Sequence, residues 1–223
     1  MTARNELLVS SGIPSAHWQL FPEATGPILM IGWRLATGRS VDDGVPPEVA
    51  LVLARVLTSL GWVSFFEGSD PTRATDDQVD AISSTGIGDR VRAAVAGLPK
   101  KVYVVSTRRP ELAAAAFDAS VFSWVMQGQA ILISPCDRKP PALEWTQMLA
   151  ITGGDKSALE AAVSEWGAEA VVRPGVDGDV AGLLAANESV RERALASIRD
   201  VASGNGFSVR VLSENEFAAA LAE

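Results

Sequence analysis

The chain has 223 residues, 48% of them apolar and 21% charged, with a net charge of −8. Such a chain can bury a sizeable core without staples and has the balance of a globular protein. Its single cysteine, Cys136, excludes an internal disulfide, and its single histidine, His17, excludes a histidine-rich metal site.

Residues 1–26 combine weak periodicity with several turn formers and are expected to form an irregular arm, packed down by Trp18 and Phe21. The start "MTARNELLVSSGIPS" has no apolar core behind a basic segment, so no signal peptide is expected. A regular rhythm follows. "PILMIGWR" (27–34) has the length and continuous apolar character of a strand. The helical spacing of "EVALVLARVLTSLGW" predicts a helix, with Pro46 and Pro47 at its entry and Gly61 at its stop. "VSFFEG" (63–68) predicts a second strand, and 76–97 a broken helical region. "KVYVVST" (101–107) predicts a third strand, 110–128 a helix and "QAILISP" (129–135) a fourth strand. Strands apolar on both faces and alternating with helices predict a doubly wound parallel sheet over 27–135.

"CDRKPP" opens a polar, proline-rich linker, residues 136–146. Beyond it, "MLAITGG" (148–154) predicts a strand and "DKSALEAAVSEWG" a helix, with Asp155 as cap and Gly167 as stop. "AEAVVRPG" (168–175) predicts a strand, "VDGDV" a turn and "AGLLAAN" (181–187) a short strand. "SVRERALASIRDVASGNG" predicts a helix opening on a capping box from Ser189 to Glu192. "FSVRVLS" predicts the last strand, and "ENEFAAALA" the last helix.

This β-α-β-β-α-β-α order over 147–223 resembles a BRCT domain. "LAITGG" matches its first strand with the closing glycine pair, and "EWGAEAVV" matches the signature before its second strand. "GLLAAN" sits at the third strand. "GFSVRVLSENEF" resembles the last strand and helix, with Phe217 where the family usually carries tryptophan. The resemblance covers about a third of the chain. Residues 1–140 hold no second copy, although tandem pairs are the family's usual phosphopeptide readers.

The resemblance implies a non-enzymatic adaptor that binds a protein partner in DNA repair, replication or stress, with a phosphate as one handle. The pocket would use Thr152 and Gly153 at the end of strand one, with Ser189, Arg191 and Arg193 at the second helix. A hydroxyl, a backbone N–H and a guanidinium can share a phosphate through charge-assisted hydrogen bonds. The competing reading makes Thr152-Gly153-Gly154 a turn, Ser189 a helix cap, and the arginines solvated residues paired with Glu188 or Glu192.

A rival hypothesis is an enzyme or small-molecule sensor. Ligands of open parallel sheets lie beyond the strands' carboxyl ends, which here carry Arg34, Glu67, the run Ser106-Thr107-Arg108-Arg109, and Asp137-Arg138. The competing reading there is a helix start at Pro110-Glu111 with solvated arginines. A third hypothesis is a binder of DNA 5′-phosphate ends. Residues 147–223 carry six basic against twelve acidic side chains, so most of the net negative charge lies there, which disfavours phosphate backbones.

"GIGDRV" (86–91) lacks the third glycine of a dinucleotide fingerprint. No Walker-type lysine loop or Gly-x-Ser-x-Gly elbow occurs, and a Cys136–His17 nucleophile pair lacks a third member. No catalytic residue, cofactor or metal is expected. The six tryptophans read as core or junction residues, with a partner surface near Trp124 and Trp145 as the alternative. No apolar run nears the roughly 20 residues that span a bilayer. A soluble, cytoplasmic protein is expected. An adaptor predicts an exposed apolar or basic patch. An enzyme predicts a deep polar cleft at the strand ends.

Overall fold

A computed structural model describes residues 5–13, 20–21, 26–36, 46–67, 103–111, 113–114, 130–135, 137, 147, 150–151, 155–174 and 180–222. In chain order these form β1 (Asn5–Ser10), β2 (Ile28–Arg34), α1 (Pro47–Leu60), β3 (Trp62–Glu67), β4 (Tyr103–Thr107) and β5 (Ala130–Ser134). There follow α2 (Lys156–Ser164), β6 (Ala170–Pro174), β7 (Val180–Ala185), α3 (Glu188–Gly204), β8 (Phe207–Leu212) and α4 (Glu214–Leu221).

The strands join into one eight-stranded sheet in the order β4-β3-β5-β6-β7-β2-β1-β8. The chain is thus of the α/β class, but its sheet departs from the expected one in direction. Every neighbouring pair is antiparallel except β1 and β8, which run parallel with Asn5 opposite Phe207 and Ser10 opposite Leu212. The expectation of a parallel sheet rested on strands apolar on both faces. That pattern reports only that both faces are covered, and helices cover an antiparallel sheet equally well.

Alternation along each strand divides the core in two. Leu29, Ile31, Ile131, Ile133, Val172 and Leu183 face α1 and α3, whereas Met30, Leu132, Val171 and Leu184 face α2 and α4. The result is three layers, with helices on both sides of the sheet. α1 is buried over most of its circumference, from Val49 through Val52, Leu53, Val56 and Leu57 to Leu60, because it packs on the sheet and has α3 beside it on the same face. The two helices run antiparallel. Arg55 Nη1 donates to Asn205 Oδ1 at 2.5 Å, and the Ser59 and Ser197 hydroxyls meet at 2.7 Å.

Two further expectations are corrected. The expected irregular arm contains β1, whose Leu7, Leu8 and Val9 are fully buried between β2 and β8. Phe21 is buried as expected, while Trp18 lies outside the described residues. The expected strand 148–154 is helical where it is described, at Ala150 and Ile151, as is Gln147 before it. A short apolar run does not by itself distinguish strand from buried helix.

The sheet also crosses the expected 136–146 boundary. β6 pairs with β5, β7 with β2, and β8 with β1, so the strands of 147–223 have no separate sheet of their own. Most of the broken helix 76–97 and of helix 110–128 lies outside the described residues. Pro110, Glu111, Ala113 and Ala114 are helical, as the start of the latter requires.

Candidate partner-binding edge

The residues of the expected anion pocket fall into two groups. Thr152 and Gly153 lie outside the described residues. Ser189, Arg191 and Arg193 occupy the first turns of α3, and local chemistry accounts for each. The helix is capped by Asn187, whose side chain accepts from Val190 N at 3.1 Å. Ser189 is therefore an exposed first-turn residue, and the expected Ser189–Glu192 capping box does not form. Two overlapping cap signals compete here, and Asn187 is as good a cap as serine. Arg191 pairs with Glu188 at 3.0 Å, and Arg193 with Glu169 at 2.7 Å. Arg191 thus takes one of the carboxylates named by the competing reading.

The second expected site is dispersed by the strand directions. Val63 lies opposite Thr107 and Glu67 opposite Tyr103. The carboxyl ends of β3 and β4 are therefore at opposite ends of the sheet, with Glu67 about 13 Å of strand away from Thr107. Arg34 lies at the same end as Glu67, but β2 is separated from β3 by β5, β6 and β7, a lateral distance of about 19 Å. Arg34 donates to the carbonyl of Ala220, in the last turn of α4. Arg108 and Arg109 are exposed, and the Arg108 guanidinium sits 5.9 Å from the Trp62 ring centroid. These residues do not converge on one cleft.

Two ionisable groups have shifted acidities. Arg173 on β6 is buried and donates to the carbonyl of Leu20; burial pushes its guanidinium down to about 10, so it remains charged at neutral pH. Glu216 in α4 is held below the usual carboxylate range, first by the Ser213 hydroxyl and then by the Ser213 N–H, with the positive charge of Arg210 contributing. These bonds form a capping box at the start of α4. Among the described residues, no cluster of His, Cys, Asp or Glu could hold a metal ion. No described helix is long and apolar enough to cross a membrane.

What the expected sites lack, the last strand supplies. β8 terminates the sheet, and among the described residues no strand pairs with its outer edge. A strand bonded on one side only presents alternate N–H and C=O groups outward, a template for another strand. Along β8, Phe207 is buried and Val209 half-buried on the α3 side. Val211, on that same side, is 48% exposed. On the α4 side, Ser208 and Arg210 are exposed and Leu212 is half-buried. Arg210 reaches Glu6 of β1 at 3.3 Å. α3 packs on one face of this edge and α4 on the other.

Sequence reasoning located β8 but not its position at the edge, because pairing with β1 joins residues some two hundred positions apart. The available signal was the valine pair at Val209 and Val211 in a strand whose other face carries Ser208 and Arg210.

Comparison of the chain with protein-family models, curated proteins and solved structures finds no match.

Proposed function

We propose that this protein is a non-enzymatic interaction protein that engages a protein partner by accepting a strand at the outer edge of β8. One observation carries the reading: among the described residues no strand pairs with the outer edge of β8, and its apolar side chain Val211 stands in solvent beside that edge. Strand addition draws affinity from the main chain and specificity from alternate side chains. It needs a preformed edge, and β8 is held between β1, α3 and α4.

A phosphate handle draws no support from the described arginines, since Arg191 and Arg193 each already hold a carboxylate. An enzyme or sensor at the carboxyl edge draws none either, because Arg34, Glu67 and Arg108 lie far apart.

The test is site-specific photo-cross-linking of the intact protein in cells. A photoreactive side chain is placed at Val211, and for comparison at Ser157 on α2, and the cross-linked peptides are sequenced. The reading expects Val211 to trap one or a few defined segments that Ser157 does not. The same diffuse adducts from both positions would overturn it.

A further inference from the structure

The edge of β8 is complementary to itself, and we infer that the strand it accepts is β8 of a second copy of this chain. This inference rests on the strand-docking reading above and names its partner. A two-fold axis normal to the sheet pairs two β8 strands antiparallel. It keeps the α3 side of one copy continuous with the α3 side of the other, so a residue can pair only with one of its own face. Every register with a residue on the axis meets that condition, and the central ones put Val209, Arg210 or Val211 there.

The Arg210 register sets two guanidinium groups opposite each other, and directly opposed like charges destabilise a sheet. The Val211 register places Val209 against Ser213, the cap residue of α4, and leaves Phe207 beyond the paired stretch. The Val209 register has neither fault. Val209 meets its own copy, and the exposed Val211 is covered by the partner's Phe207. On the other face, Arg210 lies opposite Ser208.

Charge favours the same register. Glu6 lies opposite Ser208 on the neighbouring strand, and Arg210 already bonds Glu6 within the chain at 3.3 Å. In the dimer, each Arg210 extends over the short Ser208 side chain towards the second copy's Glu6. The two symmetry-related arginines therefore each face a serine backed by a carboxylate. Apolar groups cover apolar groups on the α3 side, and charges oppose on the α4 side. An isologous interface requires this self-matching of a single patch.

The experiment uses the intact chain. Sedimentation equilibrium is expected to show a dimer. Val211→Lys, present twice in a two-fold interface, is expected to raise the dissociation constant by about tenfold while the circular dichroism spectrum is kept. In a Cys136→Ser background, Val209→Cys is expected to give a disulfide-linked dimer on mild oxidation. Directly opposed residues lie about 4.5–5.5 Å apart between Cα atoms, within disulfide reach. Arg210→Cys is expected not to cross-link, because its copy would lie about 8 Å away.

A monomeric wild-type chain overturns the inference, as does cross-linking through residue 210 instead of 209. A monomer whose Val211 still traps a defined segment of another protein would leave strand docking standing and remove only the second copy. Diffuse adducts at Val211 would remove strand docking itself.

Discussion

Gly61 lies so close to Ser134 that a methyl group on its Cα would sit 1.9 Å from the Ser134 carbonyl oxygen. The contact joins the end of α1 to the end of β5. Only a residue without a side chain lets the chain turn from α1 into β3 against that strand. Gly61→Ala must displace backbone rather than a pliable side chain. It is expected to cost about 2–3 kcal/mol, in the range of core overpacking. Urea unfolding reads this as a lower midpoint at unchanged slope.

The cap of α3 separates the observed helix start from the expected one. Asn187→Ala is expected to lose about 1 kcal/mol, because Val190 N–H loses its side-chain acceptor. Ser189→Ala is expected to change stability by less than about 0.5 kcal/mol, as is usual for exposed positions. Thermal unfolding of the two variants side by side checks both values.

Phe217 is fully buried and anchors α4 to the sheet. Its seat depends on Gly32, where an added methyl group would lie 2.8 Å from Leu221 Cδ2 and 3.2 Å from Phe217 Cζ. Phe217→Ala is expected to cost about 3–5 kcal/mol. Gly32→Ala is expected to lift α4 locally, so that amides of 214–221 exchange faster while those of β7 stay slow.

The Glu216 carboxyl is lowered in the folded chain by its bonds to Ser213. A carboxylate with a depressed folded value stabilises the fold above its unfolded value and loses that contribution as pH falls through the folded one. The difference in melting temperature between wild type and Glu216→Ala is therefore expected to be present near neutral pH. It should shrink as pH drops below about 4.3. Thermal scans of both chains from neutral to acidic pH check this.

Much of the secondary structure was legible in the sequence because its causes are local. The apolar runs of β2, β3, β5 and β6 are strands. Asp155 caps α2 through Ala158 N at 2.9 Å, and Ser213 caps α4. What escaped was set by distant partners. "NELLVS" becomes a strand because β2 and β8 bury Leu7, Leu8 and Val9 from either side. Strand direction escaped for the same reason, since an apolar run reads alike in a parallel and an antiparallel sheet. The candidate site was the least legible. Arg34, Glu67 and Arg108 each stand at the end of a strand, but the reversal of β4 relative to β3 carries Arg108 away from Glu67, and three intervening strands separate β2, with Arg34, from β3. Val211 draws its significance solely from β8 being last in the sheet.

Amide hydrogen exchange along β8, followed as a function of protein concentration, tests the interaction edge most directly. Alternate amides of Phe207–Leu212 are expected to exchange rapidly in dilute solution and to become protected as concentration rises. The β1 amides should stay slow throughout. Rapid exchange of those alternate amides at every concentration would contradict a docked second copy.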